Sequence, residues 1–470
     1  MKKFLIVILF ASMLAQSAAI AGNILPYPIL QKDMPNGLKV VTIPYDSPGI
    51  VAFYIVVRVG SRDEVEPGKT GFAHFFEHMM FRGTDKYSKE KYSEVLKSTG
   101  ASANANTSLD RTVYHMTGNA EQLETMFELE ADRFQNLKYS VQAFKTEAGA
   151  VKGEYTKNNS SPYSRLYEAK NNTAFEKHTY KHTTMGFFED IVDMPNQYEY
   201  SLEFFRRFYR PEYCTIIVVG DATQEKVNAL AEKYFGNWKR GDFKSSIPEE
   251  PSQTATKYVN IQVPQFPPYL DLNYKTPAFS LERNDYHALS ILSQILFSER
   301  SPLYKKLVVD EQKARSLSGG MYPTRDPNLF NASASILNAS DMAYVKSEIL
   351  RAIESAKNNK VDSLVLQETK ERIRYSFAMS MDTPDAIANA VSMFTWVTGD
   401  PESINKSYVM FEKVTAEDIM RVATKYLHPD LLTIATISPD ENLFLNNFFT
   451  ILNYEKNTAN FISSSSYCFS

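Results

Sequence analysis

The residues in this chain whose types and spacing could do chemistry are His74-Phe75-Phe76-Glu77-His78. On a helix, positions four apart stack on one face about 6 Å from each other, so both imidazoles can reach a single metal ion. Glu77 lies beside them. Two histidines and one further protein ligand leave an open position for water, and an adjacent carboxylate can take that water's proton as it attacks a carbonyl. The alternative is that the histidines, set among phenylalanines and methionines, simply pack. A carboxylate wedged between them would then be buried at high cost. A third ligand is sought at a distance, in the segment 141–158, whose alanines, lysines and glutamates predict a helix. Glu147 and Glu154 are seven apart there and share one face. Taken alone, such a pair more often marks a solvated helical face than a ligand set.

These elements need a scaffold. The β-branched and aromatic runs 51–57 and 269–274 predict strands, and the long segments between them predict helices packed on sheet. At 470 residues the chain exceeds what one core holds, so two domains are expected. The polar, proline-bearing stretch from Lys239 onward places a linker over 241–257, between an N-terminal domain at 22–240 and a C-terminal one at 258–454. The halves read as weak copies. Tyr209-Arg210-Pro211-Glu212 before a β-branched run recurs as Tyr426-Leu427-His428-Pro429-Asp430 before Leu432-Thr433-Ile434-Ala435-Thr436. Where the first half has its histidine helix, the second has the segment 286–297, in which Ala288, Leu289, Ser290, Ile291 and Leu292 offer no ligands.

Hydrophobic residues at 43% and mixed charges with a net of -4 describe a globular chain, and no basic patch points to nucleic acid. Lys2-Lys3, the apolar run 4–14 and Ala19-Ile20-Ala21 predict a secretory signal over 1–21, too short in its apolar part for a membrane anchor. A secreted chain is expected, periplasmic in a Gram-negative cell. Cys214 falls in a strand-like run and Cys468 in the 455–470 tail, which is serine-rich and expected to be flexible, so no internal disulfide is expected. His178 and His182 lie in a loop-like, asparagine-bearing segment and His115 on a strand-like one. His287 and His428 read as packing or surface residues.

H-x-x-E-H is the inverted zinc-protease signature. Followed after 76 positions by Glu154, with Glu147 seven residues earlier, it resembles the pitrilysin or insulinase-type metallopeptidases, especially their processing-peptidase-like branch. Asn36-Gly37-Leu38-Lys39-Val40-Val41, Val59-Gly60-Ser61-Arg62-Asp63-Glu64 and the stretch 100–114 resemble that family's opening strand, its lead-in to the metal helix and its substrate-side strand. The resemblance implies an α+β fold of two homologous halves, each a doubled α/β unit with a mostly antiparallel sheet and helices packed on it, facing each other across a chamber. By position it implies Zn2+ held by His74, His78 and Glu154, Glu77 as general base, and Glu147 as an outer carboxylate that orients a ligand. The implied reaction is endopeptidase cleavage. The run 101–108, rich in small residues and asparagine, offers backbone groups on which an extended peptide substrate adds as a strand, a mode shared by the enzymes it resembles. Simple packing would explain its small residues equally well.

One departure matters. Single-chain members carry in the second half an arginine and, seven residues later, a tyrosine that touch substrate. Aligned through Ser301-Pro302-Leu303-Tyr304, those places fall on Val308 and Arg315, while Arg300 and Tyr304 are the nearest substitutes. Within the resemblance, chains that keep the metal and lack the pair associate with a homologous partner subunit that supplies it, so a heterodimer is the expectation. Some resembling chains are non-catalytic scaffolds or peptide binders; the full set His74, Glu77, His78, Glu147 and Glu154 argues for the enzyme.

Overall fold

The structure is a computed structural model that describes residues 23–439, so the signal segment, the tail and Cys468 lie outside the described residues. Two sheets organise the chain. The first contains β1 (Leu30–Asp33), β2 (Lys39–Pro44), β3 (Ile50–Val57), β4 (Ser102–Thr107), β5 (Thr112–Asn119) and β6 (Cys214–Gly220), in the order β1-β2-β6-β3-β5-β4. The second contains β7 (Lys257–Gln262), β8 (Tyr269–Thr276), β9 (Ala314–Gly320), β10 (Asn328–Ile336) and β11 (Leu432–Ser438), in the order β7-β11-β8-β10-β9. Remove β1 and the orders superpose. Each sheet has one parallel pair, β2 with β6 and β7 with β11, and all other pairings are antiparallel. The repeated Tyr-to-Pro segments become equivalent pieces, 3-10 turns at Pro211–Tyr213 and Pro429–Leu431 feeding the inner strands β6 and β11.

Every residue of β6 and β11 is buried, which explains their unbroken β-branched runs: both faces of each sheet are covered. On one face of the first sheet Phe53, Ile55, Tyr114 and Met116 pack under the helices Phe72–Met79 and Leu123–Asn136. The other face is covered from the second half. The helix Pro384–Thr398 lays Ile387, Ala388 and Val391 on Val41, Ala52, Val56, Ile217 and Val219. The first half returns the favour through the helix Pro162–Ala174, whose Leu166 packs on Ala435 and Ile437 of β11. The halves are therefore interlocked, not merely apposed.

The linker takes no helix or strand over 239–256, yet it is tied down. Glu250 accepts backbone N–H bonds from Glu176, Lys177 and His178 and pairs with Lys275 at 2.8 Å, joining both halves. His178 and His182 flank the short 3-10 turn Thr179–Lys181 and are both buried. His178 Nδ1 accepts from the Tyr180 backbone, while its Nε2 meets Asp326 Oδ2 at 2.9 Å; His182 Nδ1 meets the Thr183 carbonyl. They form no joint ligand pair. His287 is fully buried against Ser407, His428 is exposed, and Cys214 is a buried free thiol. Among the described residues no helix is long and apolar enough to cross a membrane.

Candidate metal centre

The helix Phe72–Met79 exists because its apolar residues have a place to go. Phe72, Phe75, Phe76 and Met79 are buried, and Phe76 stacks on Phe204 at 5.1 Å. Its start is fixed twice. Gly71, at φ 88°, makes the turn into it, and an added Cβ would lie 2.5 Å from Ile191 Cδ1 and 2.8 Å from the Met185 carbonyl. Glu64, fully buried, accepts from Gly71 N at 2.9 Å and Ala73 N at 2.6 Å, satisfying donors at the helix N-terminus.

With the apolar stripe anchored, His74, Glu77 and His78 face the helix Val141–Asn159 and the edge strand β4. The imidazole centroids lie 4.8 Å apart. Glu154 Oε2 comes within 3.7 Å of His74 Nε2 and 3.4 Å of His78 Nε2, and among the described residues these three side chains form the metal-competent group, all ligand atoms within 4.8 Å of one another. Glu147 Oε1 stands 2.9 Å from His78 Nδ1, and its other oxygen pairs with Arg82. With His78 donating from Nδ1 to that carboxylate, its Nε2 presents a lone pair towards the Glu154 oxygen. Burial, with His78 close by, pulls His74 down to about 4, so its ring is neutral at neutral pH. Imidazole nitrogens converging on a carboxylate oxygen fit a cation between them, and two nitrogens with one oxygen suit zinc.

Glu77 is half-buried, and that burial raises its carboxyl above the ordinary range. Thr107 Oγ1 on β4 donates to its Oε2 at 2.5 Å. β4 is the open edge of its sheet. Along it Ser102, Asn104 and Asn106 are exposed while Ala103, Ala105 and Thr107 turn towards the metal helix, and its pairing with β5 alone leaves the other side of the backbone without a strand.

All five residues expected from the sequence, His74, Glu77, His78, Glu147 and Glu154, thus come together. Val308 and Arg315 do not join them. Val308 packs in a π-helical stretch against the second core, and Arg315 is exposed on β9. Arg300 is exposed and Tyr304 packs on that same core, so the substitute pair contributes no contact to the cluster either. The sequence reading passed over Arg82, Glu64 and Thr107. Arg82 had a signal, four residues after His78; the contacts of Glu64 and Thr107 depend on chain reversals that carry none.

Comparison with known proteins supports the same reading. The insulinase family (peptidase family M16) matches residues 39–186, and the peptidase M16 inactive domain matches residues 197–373. The zinc protease PqqE of Helicobacter pylori is 27% identical over 417 residues, covering 86% of this chain and 91% of that protein. A probable mitochondrial-processing peptidase subunit beta of Schizosaccharomyces pombe is 22% identical over 423 residues, covering 87% of this chain and 91% of its own length. The crystal structure of a protease from Helicobacter pylori superposes with a TM-score of 0.80 at 26% identity, over 88% of this chain and all of that one. With both halves matched in order and the two-half architecture shared, this chain belongs to the insulinase-type peptidase family M16.

Proposed function

We propose that the chain is a zinc-dependent endopeptidase acting on extended polypeptide segments, exported to the periplasm and working as the catalytic subunit of a heterodimer. The observation that carries the enzymatic part is the convergence of His74, His78 and Glu154, with Glu77 set between them and an open edge strand. Zinc held by those three side chains would act as a Lewis acid on the scissile carbonyl and acidify the attacking water. The protein's own groups do the rest. Thr107 occupies Glu77 Oε2, which leaves Oε1 to accept the water's proton and pass it to the leaving amine. Glu147, itself held by Arg82, orients the His78 ring through its Nδ1. The unpaired backbone of β4 binds a peptide as an added strand, largely irrespective of sequence.

Export rests on Lys2-Lys3, the 4–14 run and Ala19-Ile20-Ala21. The heterodimer rests on Val308 and Arg315, neither of which supplies the arginine and tyrosine expected from the second half. The test is to purify the chain alone, measure its zinc content, and assay cleavage of unstructured peptides with and without a homologous chain carrying the missing pair. Bound zinc with activity only in the mixture is the expected result. Full activity of the isolated chain would remove the heterodimer, and absence of zinc would remove the enzyme.

A further inference from the structure

The metal cluster uses one face of the β4 edge. A peptide strand added there turns every second side chain to the opposite face, beside Ser102, Asn104 and Asn106. That face carries Asp385, bound to Tyr54 and Thr117, and a cation that no carboxylate contacts. Arg111 follows the β4–β5 turn, and its Nη1 bonds the carbonyl and side-chain oxygens of Asn106. Its Nε is buried without a hydrogen-bond partner, and among the described residues no carboxylate lies within 4.0 Å of the guanidinium. Glu77, an acid whose charge acts on it, turns to Thr107 on the other face. A guanidinium offers five donors in a planar fork suited to a carboxylate, and a half-buried cation left unpaired is costly unless something completes it. Burial, only partly offset by Glu77 and Tyr54, pulls Arg111 down to about 10, which still leaves it charged at neutral pH.

The turn is held in place rather than left to drift. Gly60 passes so close beneath it that an added Cβ would lie 2.3 Å from the Ser108 carbonyl and 2.6 Å from Arg111 N, and the Arg62 backbone donates to the Leu109 carbonyl at 2.7 Å. The guanidinium is thus carried at the end of the edge strand by a fixed backbone. A strand added to β4 lies about 4.8 Å away, within reach of an aspartate or glutamate side chain.

We infer that Arg111 is a specificity-determining residue that binds a substrate carboxylate on the face of β4 opposite Glu77. The inference rests on the peptidase reading above and narrows its substrate to peptides bearing a carboxylate at a position that alternates with those turned to the metal. That carboxylate is either an Asp or Glu side chain or the peptide's own C-terminus.

Binding decides it separately from turnover. Fluorescein-labelled unstructured peptides that differ by one Glu-to-Gln exchange at successive positions, each with a free or amidated C-terminus, are titrated against the full chain carrying Glu77→Gln, with zinc and with the partner chain if one is required. At one position, or at the C-terminus, the carboxylate form is expected to bind about tenfold tighter, the scale of a charge-assisted hydrogen bond, and the gain should shrink with salt. Adding Arg111→Gln should bring that ratio to about one, and Arg111→Lys should restore part of it. An internal Glu effect identifies a side-chain carboxylate; an effect of amidation identifies a chain end. If Arg111→Gln weakens both peptide forms equally, or no carboxylate matters in the parent chain, the inference falls while the peptidase reading stands. If the wild-type chain cleaves no peptide at all, the peptidase reading falls, and the binding ratio still judges Arg111.

Discussion

The two halves present the same corner with opposite contents. In the first, the helix Phe72–Met79 meets edge strand β4 with His74, Glu77 and His78 between them, closed by Glu154 from a third element. In the second, the helix Asp285–Phe297 meets the equivalent edge strand β9, and the space between is a cavity of about 500 Å³ lined by Ser290, Ser293, Gln294, Ser318 and Gly320. Here the fold alone makes a cleft. Ligands in it require partly buried charges, and those persist only where neighbouring groups satisfy them: Glu147 is held by His78 and Arg82, Glu77 by Thr107. The second half, lacking that surrounding set, lines its cleft with uncharged groups instead, hydroxyls and amides beside Tyr286, Met321, Ile373 and Phe411.

The sharpest break in this contrast is Glu77→Gln. Turnover should fall by about 10³-fold, the scale of general-base loss, while bound zinc stays stoichiometric; loss of zinc as well would make Glu77 a structural residue. Next, Glu147→Gln should weaken zinc binding on the order of 10- to 100-fold, read by chelator competition, because the His78 ring loses its orienting acceptor. Unchanged affinity would mean the surrounding groups do not distinguish the halves. Conversely, Ser290→His with Gln294→His places a histidine pair four apart in the second cleft. It should take up zinc that a mild chelator strips while the first-half site remains loaded, since no carboxylate lines that cleft. A smaller effect concerns the helix start. Gly71→Ala combines a left-handed φ with a steric clash and should cost about 1–3 kcal/mol in denaturant unfolding, with residual activity in the folded fraction.

The smallest effect tests what joins the halves. Burial alone would raise Glu250, but the backbone donors of His178, Lys177 and Glu176 together with Lys275 pull it from 4.5 down to about 2. A depressed carboxylate contributes stability that is fully present above its unfolded value and lost as pH falls through its folded one. Urea midpoints of the wild type and Glu250→Gln should therefore differ at pH 7 and converge between about pH 4.5 and pH 2. A constant gap across that window would show that the charge of Glu250 contributes nothing.

Local chemistry and short-range periodicity were legible in the chain itself. His74, Glu77 and His78 are read from spacing on one helix and the buried strands from their β-branched runs, whereas Glu147 and Glu154 share a face but took their roles from the family resemblance. The paired Tyr-to-Pro segments revealed the duplicated plan. Those signals survive because helix and strand periods are fixed by backbone geometry over a few residues. Only tertiary structure decided that Thr107 would meet Glu77, that Glu64 would cap the metal helix from across a turn, and that the helix Pro384–Thr398 would cover the first half's sheet. It also decided that Arg111 would bond Asn106 yet meet no carboxylate among the described residues. Such contacts join residues far apart or around a chain reversal, where no period links them and the pairing is set by which faces remain to be covered.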